Sequence, residues 1–308
     1  MATILITGGT GLIGQALSNA LLAKGYEIII LTRKPKIATG KTAKLFYAEW
    51  NINEQTIDID AITKSDYIIH LAGASISEKR WTAKRKKEIA ESRVMSSALL
   101  IKALKENPNN VKAVISASAI GWYGPDLPSP QGEGQGVRLE TDPPANDFLG
   151  QTCKLWEESI QPVTELGKRL VTLRIGIVLS KEGGALKEFL KPLRFGIATI
   201  LGNGNQIISW IFIDDLVQMI IGALENEKLN GIYNAVGPLP VSNKEMMLAL
   251  AKSVNDNFFI SVPVPAFVLK WIMGEMSAEV LKSTKVSCKK IMGTGFIFQY
   301  PTIEAAFQ

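Results

Sequence analysis

Residues 7–14 of this chain read Thr-Gly-Gly-Thr-Gly-Leu-Ile-Gly. Two glycine registers fit, Gly9-x-Gly11-x-x-Gly14 and Gly8-x-x-Gly11-x-x-Gly14, and both describe chemistry done by backbone. Glycine at Gly8 permits a tight turn, at Gly11 lets the main chain approach a phosphate, and at Gly14 lets a helix start close against a sheet. A helix opening there presents free N–H groups and the positive end of its dipole, which together suit a pyrophosphate. The expected cradle is Gly8, Thr10, Gly11, Leu12, Ile13 and Gly14. The motif follows a short apolar run, Thr3–Ile6, and opens a segment with helical spacing at Leu12, Leu17, Ala20 and Leu21. That context is what the dinucleotide fingerprint requires.

The second strand-like run, Glu27–Leu31, ends in Thr32, Arg33 and Lys34. An NAD-selective site carries an Asp or Glu there to bond the ribose 2′-hydroxyl. Arg33 instead suits a 2′-phosphate, since a guanidinium forks onto phosphate oxygens. The expectation is NADP, with NAD as the alternative. No metal site is expected: one histidine, His70, and scattered carboxylates give no ligand spacing. His70 reads as a strand residue with a satisfied ring. Cys153 and Cys288 are too few for a disulfide scaffold and read as structural thiols.

The elements that must hold these groups alternate. Asp66–Leu71 is apolar and ends in Ala72-Gly73-Ala74; Glu88–Leu104 reads as a long helix, Val111–Ser116 as a strand, Val171–Ile175 as another. Short apolar runs alternating with helices imply an α/β Rossmann-type, doubly wound parallel sheet. Residues 122–144 are rich in proline and glycine and read as a long loop, of the kind that is usually functional. A helix is expected over Asn146–Leu166 with Pro162 as a break or kink within it. Ala185–Phe195 and Asp214–Asn226 also look helical, with Asp214 as an N-cap. Ser242 with Glu245 forms a capping box for a later helix. The expected division is a dinucleotide-binding domain over 1–176, taking in about 205–232, and a small C-terminal α/β substrate subdomain from 177–204 and 233–308.

The net charge is +5 and apolar residues make up 46% of the chain. The one dense basic run, residues 79–87, reads as a solvated helix face, so nucleic-acid binding is not expected. No apolar stretch reaches the ~18 residues needed to span a bilayer, and the N-terminus runs straight into the glycine motif without a cleavage site. A cytoplasmic protein is expected.

The glycine turn resembles that of the short-chain dehydrogenase/reductase superfamily, extended branch. Leu71-Ala72-Gly73-Ala74 is similar to its cofactor-lining fourth-strand motif, Ser116-Ala117-Ser118 with Tyr123-Gly124 to the strand and turn carrying its serine, and Ile213-Asp214-Asp215-Leu216 to a late aspartate motif of sugar-nucleotide epimerases. Arg80-Trp-Thr, Glu91-Ser-Arg93, Gly121-Trp-Tyr-Gly124, Cys153-Lys-Leu-Trp-Glu157 and Asn234-Ala-Val-Gly-Pro238 resemble an epimerase-like subfamily whose members end in a small domain of unknown function. The resemblance implies hydride transfer with a tyrosine as acid/base, a lysine four residues on that lowers the phenol pKa and holds the nicotinamide ribose, and a serine on the substrate oxygen. It matches the lysine to Lys154 and the serine to Ser118, but places Gly150 where the tyrosine belongs. Tyr123 is then the nearby phenol, with a packing role as the alternative.

Two functions compete. One is an NADP-binding epimerase-like oxidoreductase acting on a small polar substrate, a nucleotide sugar being one candidate. The other is a non-catalytic NADP-binding regulator or scaffold that has lost the acid. The chain is expected to be a monomer or a homodimer.

Overall fold

The structure, a computed structural model, describes residues 2–34, 44–126, 136–255 and 258–308. In chain order the strands are β1 (Thr3–Thr7), β2 (Glu27–Thr32), β3 (Leu45–Asn51), β4 (Thr56–Ile57), β5 (Tyr67–His70), β6 (Ala113–Ala119), β7 (Arg169–Ile175), β8 (Ile177–Ser180), β9 (Gly183–Gly184), β10 (Ile197–Leu201), β11 (Ile207–Ile208), β12 (Trp210–Phe212), β13 (Gly231–Ala235), β14 (Val241–Ser242) and β15 (Ile260–Val264). The helices that matter to the site are α1 (Leu12–Ala23), α2 (Ile59–Thr63), α3 (Ala83–Glu106), α4 (Phe148–Ile160), α5 (Ala185–Leu193), α6 (Ile213–Glu225), α7 (Asn243–Asn255) and α8 (Ala266–Met273).

The main sheet has the order β13-β7-β6-β5-β1-β2-β3-β4. All its pairings are parallel except the edge hairpin β3–β4. The order reverses beside β1, so the crevice at the carboxyl ends of β1, β2 and β5 is the place where such sheets bind ligands. Strands this apolar need cover on both faces. Ile4, Ile6, Ile28 and Ile30 pack with Leu17 and Leu21 of α1 and Leu216, Met219, Ile220 and Ala223 of α6. Leu5, Ile29, Leu31 and Ile68 pack on the other side with Leu99, Leu100, Ala103 and Leu104 of α3. The alternation along each strand decides which core each side chain joins.

A further cluster joins Leu186 and Leu193 of α5, Met246, Met247 and Leu250 of α7, Trp210, Phe212 and the C-terminal Ile303, Ala306 and Phe307. The small parallel pair β10–β15 belongs to the same end of the chain. The boundary expected at residue 233 falls inside β13, which continues the main sheet to Ala235. Val286, Cys288 and Ile291 are likewise buried in the main core, so the C-terminal segment threads back into the large unit.

Other expectations are sharpened or corrected. α3 begins at Ala83, capped by the Thr82 hydroxyl, and so takes in most of the basic run. Arg85 in that run is buried, paired with Glu88 at 2.8 Å and near Glu78 at 3.7 Å, not solvated. α4 stops at Ile160, and Pro162 lies in the first turn of a separate 3-10 stretch over Gln161–Leu166 instead of kinking one long helix. The capping box forms reciprocally: Ser242 N–H donates to Glu245 Oε2 at 2.7 Å and Glu245 N–H to Ser242 Oγ at 3.1 Å. Asp214 is not an N-cap; Phe212 holds that position without a side-chain bond. Its neighbour Asp215 is buried and accepts the N–H groups of Gln299 and Tyr300 at 2.7 and 3.0 Å. Among the described residues no helix is long and apolar enough to cross a membrane.

Candidate functional site

The turn after β1 is built as its glycines require. Gly8 has φ +70°, and a Cβ there would lie 2.9 Å from the Leu71 carbonyl carbon and oxygen. A Cβ on Gly14 would lie 2.4 Å from Gly8 O and 2.5 Å from Gly9 Cα. Gly8 and Gly14 are therefore fixed by packing between β1, α1 and the segment after β5. Gly11 differs: its Cβ would meet only Gly8 O at 3.3 Å. A Cβ at Gly11 is tight against that one carbonyl and meets nothing else within 4 Å, so the outer side of the turn is open. α1 starts at that point with no side-chain cap and no acidic residue in its first turn. Among the described residues, the N–H groups of Leu12, Ile13 and Gly14 have no acceptor. Orphan donors and a positive dipole end facing open space fit an anion.

Residues 71–74 lie against this turn. Thr7 Oγ1 accepts the N–H groups of Leu71 and Ala72 at 3.1 and 3.2 Å, and contacts His70 Nδ1 at 2.7 Å. With both acceptor sites used, the Thr7 hydroxyl hydrogen goes to Nδ1, so the imidazole carries its proton on Nε2 and donates toward Ser97 Oγ at 3.2 Å. Burial, with the Arg93 charge nearby, pushes His70 down to about 3. His70 is thus a neutral rung between β1 and α3. Ala74 N–H is held by Ser92 Oγ at 3.0 Å. Arg33 is exposed at the end of β2 and has no partner among the described residues.

Beside this cradle stands a buried polar network. Arg174, on β7, is 1% exposed and forks onto Glu157 of α4, Nε to Oε1 at 2.8 Å and Nη2 to Oε2 at 2.9 Å. Ser118 Oγ donates to the same Glu157 Oε1 at 2.6 Å. Arg174 Nη1 donates to Tyr123 Oη at 3.0 Å and to the Glu140 carbonyl at 3.1 Å, while the guanidinium stacks 3.7 Å from the Trp122 ring centroid. Tyr123 Oη donates to Asn234 Oδ1 at 2.7 Å, and Asn234 Nδ2 to the Ser287 carbonyl at 3.0 Å. Tyr123 is fully buried, which pushes its phenol up to about 12 against the opposing pull of Arg174. The structure therefore brings Ser118 and Tyr123 together through Glu157 and Arg174, and engages both hydroxyls.

Lys154 makes no hydrogen bond to Ser118 or Tyr123. It is half-buried, 3.9 Å from Glu158, and lines a groove of about 380 Å³ together with Trp122 and Glu157 of the network and with Gln161, Pro162 and Thr172. Leu149, Cys153, Trp156, Glu157 and Ile160 of α4 are buried, and Leu149 and Cys153 lie against Gly121. Gly150 also has a packing reason of its own, because a Cβ there would lie 2.3 Å from the Ala145 carbonyl oxygen. Burial pushes the Cys153 thiol up to about 12, so it is no acid at neutral pH. Glu157 and Arg93 stand in motifs that resemble the epimerase-like subfamily, but the sequence assigns no role to them or to Arg174, because Glu157 and Arg174 pair between a helix and a strand and the contact of Arg93 with Gly73 joins segments about twenty residues apart. Among the described residues no group of His, Cys, Asp and Glu could hold a metal.

Comparison with known proteins decides the family. The model of the NAD dependent epimerase/dehydratase family matches residues 4–235, and a domain of unknown function, DUF1731, matches residues 264–308. The chain belongs to the NAD dependent epimerase/dehydratase family. An epimerase family protein of Staphylococcus aureus is 35% identical over 308 residues, 100% of this chain and 98% of its own. The crystal structure of human epimerase family protein SDR39U1 with NADPH is 28% identical, covers 99% of this chain and 97% of its own, and has a TM-score of 0.85. A nucleoside-diphosphate sugar epimerase from Corynebacterium glutamicum is 31% identical with a TM-score of 0.76, matching 99% of this chain but 57% of its own. The extended short-chain dehydrogenase/reductase resemblance and the Rossmann-type fold expected from the glycine motif both hold.

Proposed function

We propose that this chain binds NADP, with NAD as the weaker alternative, and acts as an epimerase-like oxidoreductase on a small polar substrate. The observation that carries the reading is the turn at Gly11, where α1 starts without a side-chain cap and the outer side of the turn is open. Gly8, Thr10, Gly11, Leu12, Ile13 and Gly14 would hold the pyrophosphate, Leu71–Ala74 would line the cofactor, and Arg33 would take the 2′-phosphate. The human relative crystallised with NADPH agrees with that choice. When bound, the nicotinamide supplies a hydride donor or acceptor. On this reading Ser118 and Tyr123 are the hydroxyls through which a substrate proton moves, with Arg174 as the cation beside the phenol. A nucleotide sugar is the substrate class that the Corynebacterium relative's name suggests.

A second reading, NADP binding without turnover, is favoured by one observation: Tyr123 is buried with its hydroxyl already hydrogen-bonded to Asn234 and Arg174. Fluorescence titration with NADPH and NADH tests the cofactor, and tighter NADH binding would refute the NADP choice. Loss of nicotinamide absorbance across a panel of nucleotide sugars, quinones and ketones tests turnover. If a member of that panel is reduced, Tyr123→Phe and Ser118→Ala should each abolish the reaction; silence across the panel supports the second reading.

A further inference from the structure

Arg93 on α3 is a cation without a counter-charge. Its Nη1 donates to the carbonyls of Ile89 and Ala74 at 2.8 and 3.1 Å, and its guanidinium carbon lies 4.8 Å from the Trp156 ring centroid. Among the described residues no carboxylate pairs with it, and Nε and Nη2 have no acceptor. Burial disfavours its charged form, and Arg85 adds to that effect. Arg93 is half-buried, and its Nε and Nη2 are not among the buried polar atoms without a partner, so both donors are open to a ligand. Its place is specific. A Cβ on Gly73 would stand 3.0 Å from the Arg93 guanidinium carbon and 3.3 Å from Nε, so the bare Gly73 is what lets the cation sit against the segment after β5.

The sheet order says what lies there. β2, bearing Arg33, flanks β1 on one side; β5 and then β6 flank it on the other. With the 2′-phosphate end at Arg33 and the pyrophosphate on the turn after β1, the remaining half of a dinucleotide falls over the ends of β5 and β6. Leu149, Cys153 and Trp156 on the inward face of α4 bring no charge to that region.

We infer that Arg93 is a cofactor-binding residue whose free Nε and Nη2 donors grip the oxygens of the nicotinamide-side ribose. The inference rests on the NADP reading above. The test uses the full chain with two probes, NADPH and 2′-phospho-AMP, which lacks the nicotinamide half, followed by calorimetric titration. Arg93→Met should weaken NADPH on the order of tenfold or more, the loss expected for hydrogen bonds from a charged donor, and leave 2′-phospho-AMP within about twofold. Arg93→Lys, which keeps the charge and loses the fork, should show the same selective loss and decides the matter if the methionine variant does not fold. Equal weakening of both probes, or of neither, overturns the assignment and leaves the NADP reading standing. Failure of the native chain to bind either probe overturns the NADP reading, and this inference with it.

Discussion

Arg174→Met should be among the most damaging single substitutions in the dinucleotide-binding half. The guanidinium is 1% exposed and makes four hydrogen bonds: two to Glu157 at 2.8 and 2.9 Å, one to Tyr123 Oη at 3.0 Å and one to the Glu140 carbonyl at 3.1 Å. Methionine fills much of the volume but leaves the Glu157 carboxylate buried with Ser118 as its remaining donor. Removing one member of a buried ion pair costs about 3–5 kcal/mol, a large share of a total that is commonly about 5–15 kcal/mol. Urea unfolding followed by tryptophan fluorescence measures it, and Trp122, stacked on Arg174, places a reporter at the site. The charge argument makes a second demand. Arg174→Met combined with Glu157→Leu removes the stranded carboxylate, so the double variant should be more stable than Arg174→Met alone by more than about 1 kcal/mol. A single-variant cost below about 1 kcal/mol, or a double variant no better than the single, would refute the reasoning.

Three further outcomes follow from the same geometry. Gly11→Ala should leave unfolding stability within about 1 kcal/mol of native while abolishing NADPH binding; Gly14→Ala, whose Cβ would lie 2.4 Å from Gly8 O, should lower both, as melting curves and titrations will show. His70 is held near 3 in the folded chain against an ordinary value of 6.5, so the unfolded chain binds the extra proton first as pH falls. Its contribution is intact above about pH 6.5 and is lost toward pH 3, at up to about 1.4 kcal/mol per pH unit; urea midpoints from pH 7 to pH 4 should decline less steeply in His70→Gln. Arg33→Ser should weaken NADPH on the order of tenfold or more and leave NADH unchanged, since the lost fork serves only the 2′-phosphate.

The sequence made the cofactor half readable because backbone chemistry leaves a signature in residue type. Glycine at Gly8 and Gly14 answers to contacts under 3 Å, and few other residues could stand there. Strand ends at Leu31 and Leu71 were visible as apolar runs broken by polar or small residues. The other half of the site was not readable in this way. The apolar series Leu149, Cys153, Trp156 and Ile160 marks the inward face of α4, but such a series does not say which polar residues of the helix meet the site. The pairing of Glu157 with Arg174 joins a helix to a strand, and no local periodicity reports such a partner. Arg93 reads in sequence as one more charge on a charged helix; only the packing of Gly73 shows what it faces. The expected edges of the C-terminal unit failed for a related reason, since Val286 and Cys288 enter the main core from far along the chain.

That late entry has a consequence for how the chain is made. Tyr123 is secured by Asn234, and Asn234 by the carbonyl of Ser287; Ser209 Oγ likewise accepts from Val286 N–H at 2.9 Å. Synthesis runs at about 5–20 residues per second, so the stretch from β7 to Ser287 takes roughly 6–24 s to emerge. A chain cut before Ser287 lacks the acceptor that holds Asn234 and, through it, Tyr123, so its polar network stands open along one edge.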